Sequence, residues 1–489
     1  MQRRMTPAQS GDYARYGPGR NQMLITIWRG TLKTTIALHG KHPAMAIPAT
    51  DISPFVDRRN RVLAAMRHAG GGVAILPTAP EAIRNLDADY PYRHDSNFYY
   101  LTGFSEPEAW LVLIAGDKDR SILFCRDKNV EREIWDGYRF GPAAAAEHFG
   151  FDEAYAVDEL DTRLPQLLAN QTDLYAPLAA SRVLDMRLRT WLEATRMKAR
   201  AGLSVPVRQH DLASILAEMR LIKDDAEIAL MRQAAKISAA GHRRAMQRAR
   251  PGMHEYEIEA ELLYEFRRLG SQSVSYNSIV AAGANACVLH YRAGDTIMQD
   301  GDLLLIDAGC EYDSYAGDIT RTFPVNGRYT GAQRALYDLT VAAQEAAAAL
   351  TRPGSRWNEP HDAAVRVLAQ GMLDEKLLTG TLDGIIESGA YSRFYMHRTG
   401  HWLGLDVHDV GDYREAGPSG ERPWRTLQAG MVLTIEPGIY VRPGDDVPEA
   451  FWNIGIRTED DALVTVDGCE LLTRDVPVAA DEIEALMRG

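Results

Sequence analysis

The sequence predicts an α/β (α+β) protein of two unequal domains, and three features of the chain lead there. Its 489 residues exceed the length at which one hydrophobic core stops growing. From residue 52 onward short apolar runs alternate with helical stretches, the pattern of a sheet covered by helices. After residue 221 the order becomes two helices then strands, and again two helices then strands, a duplication of pattern with no repeat in the sequence itself.

Residues 1–44 stand apart, with seven Lys or Arg against the single acid Asp12. Arg29 and Lys33 interrupt the apolar stretch that a secretory signal would need, so the segment reads as a disordered extension, a transit peptide or a start placed upstream of Met23 or Met45. The first domain, 45–220, opens with a helix at 57–69 and buried strands at 72–77, 110–114 and 121–125. Between them the aromatic-dense Ser96-Asn97-Phe98-Tyr99-Tyr100-Leu101 is either core or the wall of a pocket. Helices near 160–168 and 183–197 complete it. The second domain, 221–489, starts with an amphipathic helix at 225–248 opened by acids and closed by Pro251-Gly252. A helix at 256–269 follows, then strands, then helices at 331–350 and 361–377.

A formal net charge of −13 argues against nucleic acid or an anionic membrane as partner. No run approaches the 18 or so apolar residues of a membrane helix. The four cysteines, Cys125, Cys287, Cys310 and Cys469, are too far apart for a disulfide framework or a zinc knuckle, which suits a reducing cytoplasmic setting.

The chemistry gathers around a hairpin. Leu303-Leu304-Leu305-Ile306-Asp307 is an apolar strand ending in an acid, and Ala316, Asp318, Thr320 and Thr322 alternate along the returning arm. With the turn centred between Tyr312 and Asp313, Asp307 and Asp318 face each other with Cβ atoms ~5 Å apart, an arrangement that calls for positive charge between them. Taken alone, the pair fits equally well a turn cap and a solvated side chain. Further along, His397, His401 and His408 fall within 12 residues, Glu436 ends the apolar strand Met431-Val432-Leu433-Thr434-Ile435, and Arg457 and Glu459 share a strand face. Each has a mundane reading, but a carboxylate ending an apolar strand needs a partner. Four carboxylates and one imidazole form a hard, oxygen-rich set. Five donors suit two ions ~3.5–4 Å apart better than one.

These motifs resemble the pita-bread metallopeptidases, the family of methionine aminopeptidase, prolidase and aminopeptidase P. The strings Ile306-Asp307-Ala308-Gly309-Cys310-Glu311-Tyr312, Tyr315-Ala316-Gly317-Asp318-Ile319-Thr320-Arg321-Thr322-Phe323-Pro324 and His401-Trp402-Leu403-Gly404-Leu405-Asp406-Val407-His408-Asp409 are similar to bacterial aminopeptidase P, as are Tyr90-Pro91-Tyr92-Arg93 and Asn97-Phe98-Tyr99-Tyr100 in the first domain. The resemblance implies a pita-bread catalytic domain behind a smaller mixed α/β domain. It implies two Mn²⁺ ions: Asp307 on one, Asp318 and Glu459 bridging, His401 and Glu436 on the other.

It further implies release of the first residue from peptides with proline second, or, as the alternative, a prolidase confined to Xaa-Pro dipeptides. Glu436 would serve as base and proton shuttle, His408 as donor to the oxyanion, and His290 and His397 as walls of the substrate pocket. Tyr440 and Arg457 would orient ligands, and Tyr99 would reach a pocket, that of a neighbouring subunit in a dimer or tetramer. A metal-free binding module or creatinase-like enzyme is set aside because all five ligand positions are filled. One departure stands out: Arg398 replaces the glycine that usually follows the first histidine, altering the pocket beside His397.

Overall fold

The computed structural model describes residues 23–29, 32–38, 51–417 and 420–489. Contacts divide the chain into two compact units, Met1–Asp51 and Ile52–Gly489. In the first, Met23–Arg29 pairs antiparallel with Leu32–Leu38, with Trp28 opposite Lys33 and Arg29 opposite Leu32. The expectations for residues 1–22 fall outside the described residues.

The second unit begins with a six-stranded sheet, ordered Arg208–Asp211, Asp173–Ala176, Gly72–Pro77, Trp110–Ala115, Arg120–Cys125 and Glu153–Ala156. Its two pairings among Gly72–Pro77, Trp110–Ala115 and Arg120–Cys125 are antiparallel and the others parallel. Strand side chains alternate between two cores. Val73 and Ile75 join Leu164, Leu188 and Trp191 on one face, while Ala74 and Leu76 join Val62 and Met66 of helix Ser53–His68 on the other. Such strands read as unbroken apolar runs because both faces are covered. The aromatic-dense segment is a helix, Ser96–Thr102, capped by Asp95 and terminated by Gly103 at φ 65°, with Phe98 and Leu101 fully buried.

Helix Asp225–Arg248 carries a full capping box between Asp224 and Glu227. With Glu255–Arg268 it covers the antiparallel strands Ile279–Ala282, Leu303–Asp307 and Thr320–Pro324. The pattern recurs: helices Gly331–Leu350 and Asn358–Asp374, then strands Val432–Ile435, Gly438–Val441, Ile454–Arg457 and Asp460–Val464. A bridge from Thr320 to Glu459 joins the two halves, and the candidate site lies along that seam.

The hairpin differs from expectation in register. Asp307 lies opposite Thr320, not Asp318, and Tyr312 lies opposite Tyr315. The turn is Asp313-Ser314, with φ of 44° and 72°, a two-residue loop of the kind whose twist matches the strands it joins. Both arms break in the middle. A Cβ at Gly309 would lie 1.7 Å from the Gly317 carbonyl oxygen, so only glycine permits the crossing that turns Asp318 out of the ladder and toward Asp307.

Candidate metal centre

A cleft of about 480 Å³ opens above the seam, and Asp307, Asp318, His401, Glu436 and Glu459 all line it. His290, His397, His408 and Arg457 line it as well. Tyr99 does not: its ring is stacked on His94 at 4.2 Å. Tyr440 is buried just behind the wall.

Asp307 ends its strand almost buried, and its carboxylate accepts hydrogen bonds from Arg457 Nη2 and the Tyr276 hydroxyl, each at 2.5 Å. The same hydroxyl contacts Asp318. Tyr276 thus stands where the two acids approach each other, and sequence reasoning missed it, since a lone tyrosine in a loop carries no spacing signal. His401 donates through Nδ1 to the Trp402 carbonyl at 3.0 Å. That leaves Nε2 facing the acids, 3.5 Å from Asp318 and 3.9 Å from Glu436. Gly400 permits this placement, for a Cβ there would lie 2.0 Å from the Thr434 carbonyl oxygen. Glu459 accepts from Thr320 Oγ1 at 2.7 Å.

The electrostatics show how strongly the acids press on one another. Burial, then the Asp318, Glu436 and Asp307 carboxylates, drive the Glu459 carboxyl well above its usual range. Burial lifts Glu436 to about 7, against the pull of His401 and Arg457. Burial would lower His401, but Asp318 and Glu436 carry it up to about 9. Asp461, another acid that sequence reasoning passed over, is raised by burial and Asp318, and its Oδ1 is buried without a hydrogen-bond partner. A floor of this kind holds its charge only with positive charge supplied, and Arg457 provides a single unit. Asp318, His401 and Glu459 each offer a donor atom within 4.8 Å of the others, a spacing one cation can span. Carboxylate oxygens with one imidazole nitrogen suit a hard or borderline divalent ion. The residues present therefore fit a divalent metal.

Behind the floor, Arg457 also donates to the Tyr440 hydroxyl at 2.9 Å and Tyr440 meets His397 Nε2 at 2.9 Å. Burial, then Arg457, lowers His397 to about 4, so it is neutral near pH 7. The His408 ring lies edge-on to His401 at 4.1 Å. Its loop, residues 401–409, is pinned from beneath by Arg220, which donates to Asn97 at 2.8 Å, Asp406 at 2.7 Å and Asp409 at 2.5 Å. Lys223 reaches the other Asp409 oxygen at 3.0 Å.

The two similar halves and the buried floor of acids define a metallohydrolase of the pita-bread type. Residues 229–466 match metallopeptidase family M24 and residues 55–175 match the aminopeptidase P N-terminal domain. The chain belongs to the M24 family. It is 45% identical over 435 residues to the Xaa-Pro aminopeptidase of Escherichia coli (strain K12), covering 88% of this chain and 97% of that relative. Among solved structures, Pseudomonas aeruginosa aminopeptidase PepP matches with a TM-score of 0.87 at 48% identity, covering 90% of this chain and 99% of that one. Zinc-substituted Escherichia coli aminopeptidase P in complex with product gives 0.86 at 44% identity, covering 90% and 98%.

Proposed function

We propose that the protein is an Xaa-Pro aminopeptidase that works with two divalent cations, Mn²⁺ foremost, held by Asp307, Asp318, His401, Glu436 and Glu459. The observation that carries the reading is the 45% identity to an Xaa-Pro aminopeptidase, in a chain whose five donors all line one cleft. Cations bound there supply Lewis-acid charge that polarises a peptide carbonyl and eases the deprotonation of water.

Glu436 takes a proton from the attacking water and passes it to the proline nitrogen as the C–N bond breaks. That nitrogen is a tertiary amide with no hydrogen of its own, so the delivery is needed for the leaving group to depart. His408 donates to the oxyanion that develops on the carbonyl. His290 and His397 flank the substrate, with His397 held by Tyr440, and Arg457 steadies both Tyr440 and Asp307.

The same proposal divides the chain at residues 220 and 221, between the two family matches. It gives the enzyme a dimeric or tetrameric form in which Tyr99 serves a neighbouring copy. It places the enzyme in the cytoplasm, on the strength of cysteines that all remain free. Among the described residues no helix is long and apolar enough to cross a membrane.

The test is a length series in Mn²⁺, comparing Ala-Pro, Ala-Pro-Ala and Ala-Pro-Ala-Ala with Ala-Ala-Ala. Release of alanine from the proline-containing tripeptide and tetrapeptide is expected. Activity confined to the dipeptide would make the enzyme a prolidase.

A further inference from the structure

Three arginines line the cleft, and Arg457 is bound to Asp307. The other two, Arg292 and Arg398, are both exposed and, among the described residues, neither makes an ion pair. Arg398 is nonetheless held in place. Its guanidinium lies over the Trp424 ring, 5.1 Å from the centroid, and Arg414 shares the same indole at 3.8 Å. Trp424 stands on a segment that folds back on itself, with a bridge between Arg414 and Trp424 and a Glu415 amide donating to the Pro423 carbonyl at 3.0 Å. Stacking occupies the face of a guanidinium and leaves its N–H edge free to fork a carboxylate.

Charge balance points the same way, granted the two-cation reading above. The carboxylates of Asp307, Asp318, Glu436 and Glu459 are then matched by the cations, and the positive charge left on the cleft lining is that of Arg457, tied to Asp307, and of the unpaired Arg292 and Arg398. A peptide entering amino end first sets its N-terminal residue at the floor, so that later residues pass the rim. We propose that Arg398, seconded by Arg292, is a specificity determinant that favours peptides carrying a carboxylate beyond the second residue, either an acidic side chain or the free C-terminus.

The test uses the full chain loaded with Mn²⁺ and peptides whose first carbonyl is reduced to methylene, which cannot be cleaved, with binding followed by titration calorimetry. One arm compares Asp with Asn at the third position of amidated Ala-Pro-Xaa. The other compares Ala-Pro-Ala with its C-terminal amide. The unmodified chain is expected to prefer the carboxylate by ~3–10-fold in at least one arm, the range of a partly exposed charge-assisted pair, and the responding arm identifies which carboxylate is read.

Arg398→Gln should bring that ratio close to one, and Arg398→Glu should shift the preference toward Lys at the third position. Both substitutions fall on an exposed side chain, so neither threatens the fold. Equal binding in both arms, or a preference that survives both substitutions, overturns the inference. Turnover of ordinary Ala-Pro-Ala-Ala is measured separately, so a chain that discriminates in binding but cleaves nothing would sink the aminopeptidase reading and leave Arg398's role standing.

Discussion

Replacing Arg220 with methionine should destabilise the protein by about 3–5 kcal/mol, the cost of removing one partner from a buried ion pair. Arg220 is 2% exposed and donates to three acceptors. The bond to Asp409 is worth ~1.5–3 kcal/mol as a buried charged contact and that to Asn97 ~0.5–1.5. Asp406 has a side chain 44% exposed and adds ~1 kcal/mol at most. Lys223 still serves Asp409 in the variant, which keeps the total from rising further. Burial alone would raise the Asp409 carboxyl, but Lys223 and Arg220 overcome it and hold it below the usual range. A depressed carboxyl contributes stability above its unfolded value and loses it as pH falls through the folded one. The gap between the parent and Arg220→Met should therefore be full at pH 7 and narrow below about pH 4. Urea unfolding of the two proteins at pH 7 and at about pH 3 or lower measures it. A difference under about 1 kcal/mol at pH 7, or a gap that widens with acid, would refute the reasoning.

Glu436→Gln should lower kcat by at least ~100-fold on Ala-Pro-Ala, since a positioned acid–base group typically contributes ~10²–10⁴; steady-state kinetics at saturating Mn²⁺ decide it. Chelation should abolish turnover and lower the melting temperature, and Mn²⁺ added back at ~100 times its Kd should restore ~2.7 kcal/mol of stability, seen by calorimetry with and without the ion. Gly400→Ala should destabilise by at least ~1–3 kcal/mol, because its Cβ would meet the Thr434 carbonyl oxygen at 2.0 Å, and urea unfolding reads the loss.

What the sequence made legible was what local chemistry determines. Runs such as Val73-Ala74-Ile75-Leu76 name their strand because both faces are buried, and the acids at 224–227 announce the helix that they cap. Asp307 and Glu436 were readable as acids that end apolar strands, the full set of five came from the resemblance to the family's motifs, and all five line the cleft. The hairpin register was not readable. It depends on Asp313 and Ser314 both adopting positive φ without an Asn-Gly or Asp-Gly turn signature, and on the Gly309–Gly317 crossing, a contact between backbones with no side-chain signature. Tyr276 and Asp461 were hidden for a related reason: their importance comes entirely from what lies beside them in space. Tyr99 stacks on His94 and lies off the cleft of its own chain, and its proposed role concerns a neighbouring copy.

One apolar cluster runs from Val62, Phe98 and Leu111 through Tyr315 to Leu403, Val432 and Leu463, so residues from both family-matched segments fill a common interior. Arg93 reaches across to Glu311, and Ser96 to Asp406. Neither segment could be excised without baring the greasy side of the other. Cutting the chain between them would wet that interior on both sides, so the two segments should unfold as one cooperative unit.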